Sequence, residues 1–330
     1  MEATMKAIRV GPGREFQVLA APVPAPGPGE ALLRIEAVTT CPQWDLHLRH
    51  DEPMFVGHRF VHPYPLGQPG HEATGTIAAV GEGVADLQVG QRVSAWRDAG
   101  HGRDGCYAQY VVHRAENLLA VPETLSWEAT ASVELAMCVG AAFLRLRQMG
   151  AVAGRRVGVM GLGPAGLIAV QMACAEGAQS VTAFDPLPQR REHAAALGLA
   201  GVVTVDPAAA DAERFPVRPS RPALETIVDC VGLKASVEWA MDRASDTVQL
   251  FGVQREDYAF GVRHYTLRLS GYPGHSREAA EYAVGLMAAG KLDLTPLVTH
   301  QLPLERYAEG IDLLEQRQAI KICFRPWWEA

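Results

Sequence analysis

The sequence predicts an α/β protein of two domains, on the evidence of its length, a change of texture near Ser126 and a glycine-rich loop. At 330 residues the chain is longer than a typical single hydrophobic core supports. Short apolar runs separated by Pro/Gly turns precede Ser126, and strand-like and helix-like runs alternate after it. The first texture is typical of a β-barrel or sandwich, and the second of a doubly wound parallel sheet with right-handed crossovers.

The first part of the chain reads as short strands. Apolar or alternating runs are "MKAIRV", "EALLRIEAV", "EATGTIAAVGEGV", "GQRVSAW" and "CYAQYVVH", with the loop "APVPAPGPGE" after the first of them. A long helix-compatible segment, "WEATASVELAMCVGAAFLRLRQMG", then leads to Gly150, which is a plausible helix stop.

The second part alternates regularly. We expect strands at "RRVGVMG", "SVTAFD", "GVVTV", "LETIVDCV" and "DTVQLFGV", and helices over Pro164–Gly177, Gln189–Leu197 and Ala235–Arg243. Two amphipathic helices, "SREAAEYAVGLMAAGKL" and "PLERYAEGIDLLEQ", and a last strand, "AIKICFRP", follow.

Composition excludes several classes of protein. A net charge of −7 disfavours binding to nucleic acid or to a membrane surface, since both need a basic face. The six cysteines form no CxxC pair, which favours a reducing, cytoplasmic compartment, and the first residues show no apolar signal segment. Val157–Ala175 lacks charge, but its clustered glycines favour a strand, turn and helix over a membrane span.

A glycine loop predicts a dinucleotide site. The motif G-x-G-x-x-G follows an apolar strand and opens a helix, at Gly161, Leu162, Gly163, Pro164, Ala165 and Gly166. The glycines permit a tight turn, backbone approach to a pyrophosphate and close helix–strand packing, and the helix N-terminus favours phosphate. Asp185, at the end of the next strand, would accept hydrogen bonds from ribose and repel a 2′-phosphate. We therefore favour NAD over NADP, although Arg190 and Arg191 lie nearby.

Four dispersed residues carry donor atoms suited to zinc. Cys41, His71, Glu72 and Glu134 offer sulfur, nitrogen and oxygen ligands. No short-range spacing joins them, so spacing alone leaves both a zinc site and a structural role open.

The chain as a whole resembles the zinc-type medium-chain dehydrogenase/reductase family, which includes the alcohol and polyol dehydrogenases. The resemblance is carried by "GHEATGTIAAVG", "VGQRV", "GCYAQYV", "GLGPAG", "VDCVG" and "LVTHQLPLERYAEGIDLL…AIK". It implies a GroES-like β-barrel catalytic domain (1–147 and 283–330), a Rossmann NAD-binding domain (148–282) and an active site in the cleft between them. It also implies a small alcohol or carbonyl substrate and a homodimer or homotetramer.

The resemblance assigns roles to individual residues. His71 and Glu72 match the zinc-binding pair, Glu134 matches the acidic position of polyol-type members, and Cys41 is the candidate thiolate. Arg190 matches a residue that contacts the adenosine ribose, and Lys321 a basic residue near the phosphates. Residues at the adenine and nicotinamide sites would be Val231, Gly252 and Val253.

Two departures from the family pattern alter these expectations. The stretch "WRDAGHGRDGCYAQY" has no room for a four-cysteine lobe, so we expect one catalytic zinc and no structural zinc. One extra residue separates Cys41 from Asp45, so Trp44 takes the place of the hydroxyl residue that relays the substrate's proton. Asp45 would then hydrogen-bond a metal ligand, His47 would carry the proton towards solvent, and Trp44 would form an apolar substrate wall.

The leading hypothesis is hydride transfer between an alcohol or carbonyl and NAD(H). Two alternatives stay open: a zinc-free quinone or enoyl reductase that uses NADPH, and a catalytically silent cofactor-binding protein. Three histidines, His58, His62 and His101, lie in loops near the expected cleft; contact with substrate stays open for them, and a solvated histidine is the commoner case.

Overall fold

The computed structural model describes residues 3–11, 15–55, 57–100, 102–210, 213–218, 220 and 222–329. The chain forms two compact units, the first comprising 1–135 with 294–330 and the second 136–293. The sequence predicts domain boundaries after residues 147 and 282, whereas the two units divide after residues 135 and 293.

The first unit is built mainly from antiparallel strands. Its strands are β1 (Thr4–Val10), β2 (Phe16–Pro22), β3 (Glu30–Thr39), β4 (Glu72–Val80), β5 (Arg92–Ala95), β6 (Tyr110–Arg114), β7 (Leu118–Ala120), β14 (Val298–Leu302) and β15 (Lys321–Phe324). Its helices are α1 (Pro42–His50), α2 (Trp127–Ala131) and α8 (Tyr307–Glu315). The strand order β14-β15-β3-β4-β5-β7, with β6 also on β3, places the long strand β3 centrally.

Pairing along β3 positions the segments that matter for chemistry. Thr39, the last residue of β3, pairs with Glu72, the first residue of β4, and also with Cys323 of β15. The chain that leaves β3 therefore starts α1 beside the start of β4 and beside β15. Apolar side chains from these strands and from α8 form one buried core around Ile35, Tyr107 and Phe324.

The second unit is a doubly wound parallel sheet. Its strands are β8 (Arg156–Met160), β9 (Ser180–Phe184), β10 (Val202–Val205), β11 (Leu224–Asp229), β12 (Ala244–Leu250) and β13 (Arg268–Ser270). The helices are α3 (Val133–Gln148), which begins at the end of the first unit, α4 (Pro164–Ala175), α5 (Pro188–Ala195), α6 (Lys234–Arg243) and α7 (Arg277–Ala288). The six strands are parallel in the order β10-β9-β8-β11-β12-β13.

The predicted alternation of strands and helices is confirmed in this unit. The uncharged stretch Val157–Ala175 is β8, a turn and α4, and no helix in the described part of the chain has the length and apolarity to span a membrane. Met160 pairs with Phe184 on one side and with Asp229 on the other. The residues after β8, β9 and β11 therefore share one edge of the sheet, where open α/β sheets bind ligands.

Candidate active site

Helix α1 begins at the candidate thiolate ligand. Cys41 is the N-cap residue, with extended backbone (φ −99°, ψ 98°), and its side chain makes no capping hydrogen bond. Pro42 occupies the first helical turn, where its missing N–H is not needed. The backbone N–H of Asp45 donates to the carbonyl of Cys41 at 2.9 Å. The extra residue between Cys41 and Asp45 is thus accommodated as one regular α-helical turn.

The structure brings the four candidate metal donors together. One ligand atom each from Cys41, His71 and Glu72 lies within 4.8 Å of the others. Oε2 of Glu134 lies 3.8 Å from Nε2 of His71. The pairing of β3 with β4 accounts for the meeting of three of them, because it sets His71 and Glu72 beside Cys41, which follows Thr39 and Thr40, whereas Glu134 comes from α3.

The His71 ring is held in one orientation. Its Nδ1 lies 2.9 Å from the carbonyl oxygen of Pro69, so in the neutral ring Nδ1 carries the proton and Nε2 the lone pair. Burial alone would lower the pKa of His71. The hydrogen bond and charge of Cys41, followed by the carboxylates of Glu134 and Glu72, outweigh burial and raise that pKa well above 6.5. The surroundings of His71 therefore favour a positive charge.

Glu72 is the carboxylate most fully engaged with protein groups. It is 1% exposed, and its Oε2 accepts hydrogen bonds from Nζ of Lys321 at 2.5 Å and from Oγ1 of Thr39 at 3.2 Å. Burial, and then the neighbouring charge of Glu134, raise the pKa of Glu72 against the opposing effect of Lys321. Lys321 compensates the charge of Glu72, and Glu134 offers a second carboxylate 3.8 Å from His71.

Lys321, which the family resemblance places near the phosphates, makes its hydrogen bonds within the first unit. It lies in the first unit at the start of β15, is fully buried, and also donates to the carbonyl of Thr40 at 2.6 Å. Its ammonium thus belongs to the cluster of metal donors, whereas the glycine loop lies in the second unit. The sequence pattern missed this ion pair because 249 residues separate the partners.

Asp45 does not make the expected hydrogen bond to a metal ligand. Its carboxylate, 1% exposed, accepts hydrogen bonds from Tyr107 Oη at 2.8 and 3.0 Å and from Tyr307 Oη at 3.0 Å. Burial raises the pKa of Asp45 to about 6, although both tyrosines act against the shift. The expectation is corrected: the Pro69 carbonyl orients His71, and the two tyrosines hold Asp45 and hence α1.

His47 lies on the last turn of α1. Its Nδ1 is 3.1 Å from the carbonyl oxygen of Glu52, so the neutral ring keeps its lone pair on Nε2. This ring can therefore accept a proton at Nε2.

Trp44 lies on the first turn of α1 and contacts other aromatic rings. It meets His58 edge-on, with ring centroids 5.5 Å apart, and Phe60 at 6.3 Å. His58 and His62 are part-buried beside aromatic rings rather than fully solvated, and His101 lies outside the described residues.

The glycine loop has the backbone of a phosphate cradle. Gly161 has φ +84°, which favours glycine, and a Cβ on Gly166 would lie 1.8 Å from the carbonyl oxygen of Gly161. Gly163 is the N-cap of α4 and Pro164 opens the helix, so no side chain caps its first N–H groups. These N–H groups and the helix dipole suit an anionic ligand.

Asp185 is fixed beside this loop. Its two carboxylate oxygens accept hydrogen bonds from the backbone N–H groups of Leu162 at 2.8 Å and Leu187 at 2.9 Å. Arg190 Nη1 lies 3.4 Å from the carbonyl of Leu162. Arg191 donates to the carbonyls of Asp185 and Pro186 and pairs with Asp206 at 3.4 Å, so its guanidinium is already bound by neighbouring oxygens.

The remaining predicted cofactor residues lie at the same sheet edge. A Cβ on Gly161 would be 2.7 Å from Cγ2 of Val231, and one on Gly252 would be 2.4 Å from the backbone nitrogen of Gly232. The backbone turns after β11 and β12 are therefore packed tightly against each other. Val231 is 39% and Val253 43% exposed, which leaves apolar surface for a ligand.

The comparisons agree with this architecture. The model of the alcohol dehydrogenase GroES-like domain matches residues 27–123. Sorbitol dehydrogenase of Gallus gallus is 28% identical over 92% of this chain and 91% of its own length. L-threonine 3-dehydrogenase of Thermococcus kodakarensis is 28% identical over 99% of this chain and 98% of its own length.

Solved structures share the fold of the whole chain. Galactitol-1-phosphate dehydrogenase of Escherichia coli has a TM-score of 0.82 at 24% identity, covering 97% of this chain and 100% of that chain. Alcohol dehydrogenase TADH of Thermus sp. ATN1 has a TM-score of 0.80, also at 24% identity, covering 97% of this chain and 99% of that chain. The fold is thus a GroES-like barrel domain with a Rossmann domain, and the chain is similar over nearly its whole length to sorbitol and threonine dehydrogenases, consistent with the zinc-type medium-chain dehydrogenase/reductase family.

Proposed function

We propose that this chain is a zinc-dependent dehydrogenase that transfers a hydride between an alcohol or carbonyl substrate and NAD(H). The observation that carries the proposal is the convergence of Cys41, His71, Glu72 and Glu134. In this proposal the first unit is the catalytic domain and the second unit is the NAD-binding domain. A cytoplasmic homodimer or homotetramer with a small-molecule substrate would fit the family.

The donor set fits a catalytic zinc. A thiolate, an imidazole and a carboxylate are zinc ligands, and three protein ligands leave one position for substrate. We assign those three to Cys41, His71 and Glu134, with Glu72 behind them as the carboxylate that Lys321 balances. A zinc ion held there would polarise the substrate oxygen and lower the pKa of an alcohol. The cluster thus offers sulfur, nitrogen and oxygen donors of the kinds that zinc binds.

No structural zinc is proposed. The segment 96–107 contains one cysteine, Cys106. Its thiol is fully buried, and burial, followed by the charge of Asp98, raises its pKa to about 12. A thiol in that state is a poor metal ligand because the thiolate is the form that binds metal.

The chain's own residues would handle the proton. Helix α1 carries no hydroxyl side chain that could relay a proton from the substrate. Trp44 cannot take this role, because its indole N–H donates a hydrogen bond but does not accept one. His47 is the nearest histidine along α1, and its Nε2 lone pair can receive the proton directly or through a water or ribose hydroxyl. Asp45, bound by two tyrosines, would hold the helix that carries these residues.

The second unit supports NAD rather than NADP. The nicotinamide would supply the hydride acceptor or donor. Gly161, Gly163 and Gly166 form the backbone cradle, and the Asp185 carboxylate would bind ribose hydroxyls and repel a 2′-phosphate. Arg191 is already occupied by two carbonyls and Asp206, which supports the same choice.

The test combines metal content with turnover. We expect the purified protein to contain zinc and to form NADH, followed by absorbance, across a panel of alcohols, with NAD preferred to NADP. His71→Ala should lose both zinc and turnover. Zinc-free protein with full activity, or full turnover by His71→Ala, would refute the proposal. Preference for NADPH with quinones or enoyl substrates would instead favour the zinc-free reductase, and tight NADH binding without any turnover would favour the silent cofactor-binding protein.

A further inference from the structure

We infer that the substrate of this site is an aromatic or bulky apolar alcohol, or the corresponding carbonyl, rather than a polyol. The inference rests on the proposed function and names its substrate class. It is carried by an aromatic patch in the first unit, which we define as Trp44, Phe55, His58 and Phe60.

Helix geometry places one member of this patch, Trp44, near one metal donor, Cys41. Trp44 follows Cys41 by three residues, so both lie on one face of the start of α1. Side chains on a helix lean towards its N-terminus, and the Trp44 indole therefore covers the turn that begins at Cys41. Asp45, the next residue, is buried in the core, whereas Trp44 is half-buried at its margin.

The rings of the patch pack against one another. His58 lies between Phe60, at 4.7 Å and 86°, and Phe55, at 5.0 Å and 42°, and it also meets Trp44 edge-on. The Nδ1 of His58 accepts the backbone N–H of Met54 at 3.3 Å. Phe60 anchors the patch by packing on Tyr64 and on the core of the first unit.

One part of the patch reaches solvent. Phe55 is 52% exposed and forms the outer end of the patch. The patch thus runs from the helical turn at Cys41 to the protein surface.

Such a surface discriminates between alcohols by chemistry. An aromatic substrate gains offset or edge-to-face contacts with the rings. The additional hydroxyls of a polyol would face ring surfaces, and each hydroxyl buried without a partner lowers affinity by a factor of about 5 to 150. A short aliphatic alcohol that does not extend beyond Trp44 should be affected little.

The experiment compares the zinc-loaded enzyme with Trp44→Ser and Phe55→Ala. For the unsubstituted enzyme we expect kcat/KM for benzyl alcohol to exceed that for sorbitol by at least about 100-fold. Trp44→Ser should lower kcat/KM for benzyl alcohol by about 10-fold or more and that for ethanol by less than about 3-fold, mainly through KM. Trp328→Ser, at an exposed tryptophan near the C-terminus, is the matched control and should change neither.

A binding measurement separates the two proposals. With NADH present, so that no alcohol is oxidised, saturation-transfer NMR should detect benzyl alcohol on the unsubstituted protein and a weaker signal on Trp44→Ser and Phe55→Ala. Equal kcat/KM for sorbitol and benzyl alcohol, or an unchanged ratio in Trp44→Ser, would overturn the inference. So would a change of oligomeric mass in Phe55→Ala with unaltered specificity, because the patch would then be a subunit interface. Absence of turnover with every alcohol would refute the proposed function, while the NMR signal would still decide the inference.

Discussion

Replacing Asp45 by asparagine should stabilise the protein at neutral pH. The Asp45 carboxylate is buried and is bound by the hydroxyls of Tyr107 and Tyr307. Asparagine has almost the same size, and its amide can accept from one tyrosine and donate to the other. The substitution therefore removes a buried negative charge with little loss of packing or hydrogen bonding.

The magnitude follows from the pKa of Asp45. Burial raises it from 3.8 to about 6 in the folded state, a shift of roughly 2 units or about 3 kcal/mol. Between those pH values the unfolded chain has lost the proton that the folded chain keeps, so the stability of the unsubstituted protein falls as pH rises. Above pH 6 the charged Asp45 carboxylate lowers the stability of the unsubstituted protein by the full amount, and below pH 4 this loss of stability is absent. Asparagine does not titrate, so its advantage should grow by about 3 kcal/mol from pH 4 to pH 7.

The assay is urea unfolding of both proteins at pH 4, 5, 6 and 7, with EDTA in every sample so that metal binding does not contribute. Taking the difference at each pH cancels the titration of all other groups. Asp257→Asn, at an exposed position, is the control and should give a flat difference. A flat difference for Asp45→Asn, or a relative loss of stability as pH rises, would refute this reasoning.

Three further substitutions test other parts of the structure. Lys321→Met leaves Glu72 as an uncompensated buried charge and should lower the free energy of unfolding, measured in urea, by about 3–5 kcal/mol. The double variant Lys321→Met with Glu72→Gln should recover much of that loss, and additive effects of the two substitutions would contradict the ion pair. Gly166→Ala places a methyl group 1.8 Å from the Gly161 carbonyl oxygen and should abolish NADH binding, measured by fluorescence titration. Gly177→Ala, in the turn after α4, is the control and should lower stability without changing the affinity for NADH. Normal NADH binding by Gly166→Ala would exclude the glycine cradle. Asp185→Ser should raise kcat/KM with NADP relative to NAD by about 10-fold or more in an absorbance assay, and an unchanged ratio would show that this carboxylate does not select the cofactor.

Local patterns were enough to predict most of the fold. Strand–helix alternation and the glycine loop depend on neighbouring residues, and the predicted strand, turn and helix around Gly161 occur as expected. The four candidate metal donors could be named because their side chains carry zinc-binding atoms and because the family motifs mark them. Their meeting depends on the pairing of β3 with β4, which sequence spacing alone did not reveal.

Long-range partners could not be predicted in the same way. Asp45 is bound by tyrosines 62 and 262 residues further along the chain, and no local pattern links them. The expected hydrogen bond from Asp45 to a metal ligand was wrong because the helical turn after Cys41 directs this carboxylate into the core. Trp44 lies on the same helical turn, and its aromatic partners come from a loop whose course the sequence did not indicate.

The proposed zinc site can be tested most directly by zinc K-edge X-ray absorption on the purified, unsubstituted protein. We predict one zinc per chain with one sulfur neighbour at about 2.3 Å and the remaining nitrogen and oxygen neighbours at about 2.0–2.2 Å. The sulfur contribution should disappear in Cys41→Ser. Active protein without zinc, or a zinc spectrum without a sulfur neighbour, would contradict the assignment of Cys41, His71 and Glu134 as the metal ligands.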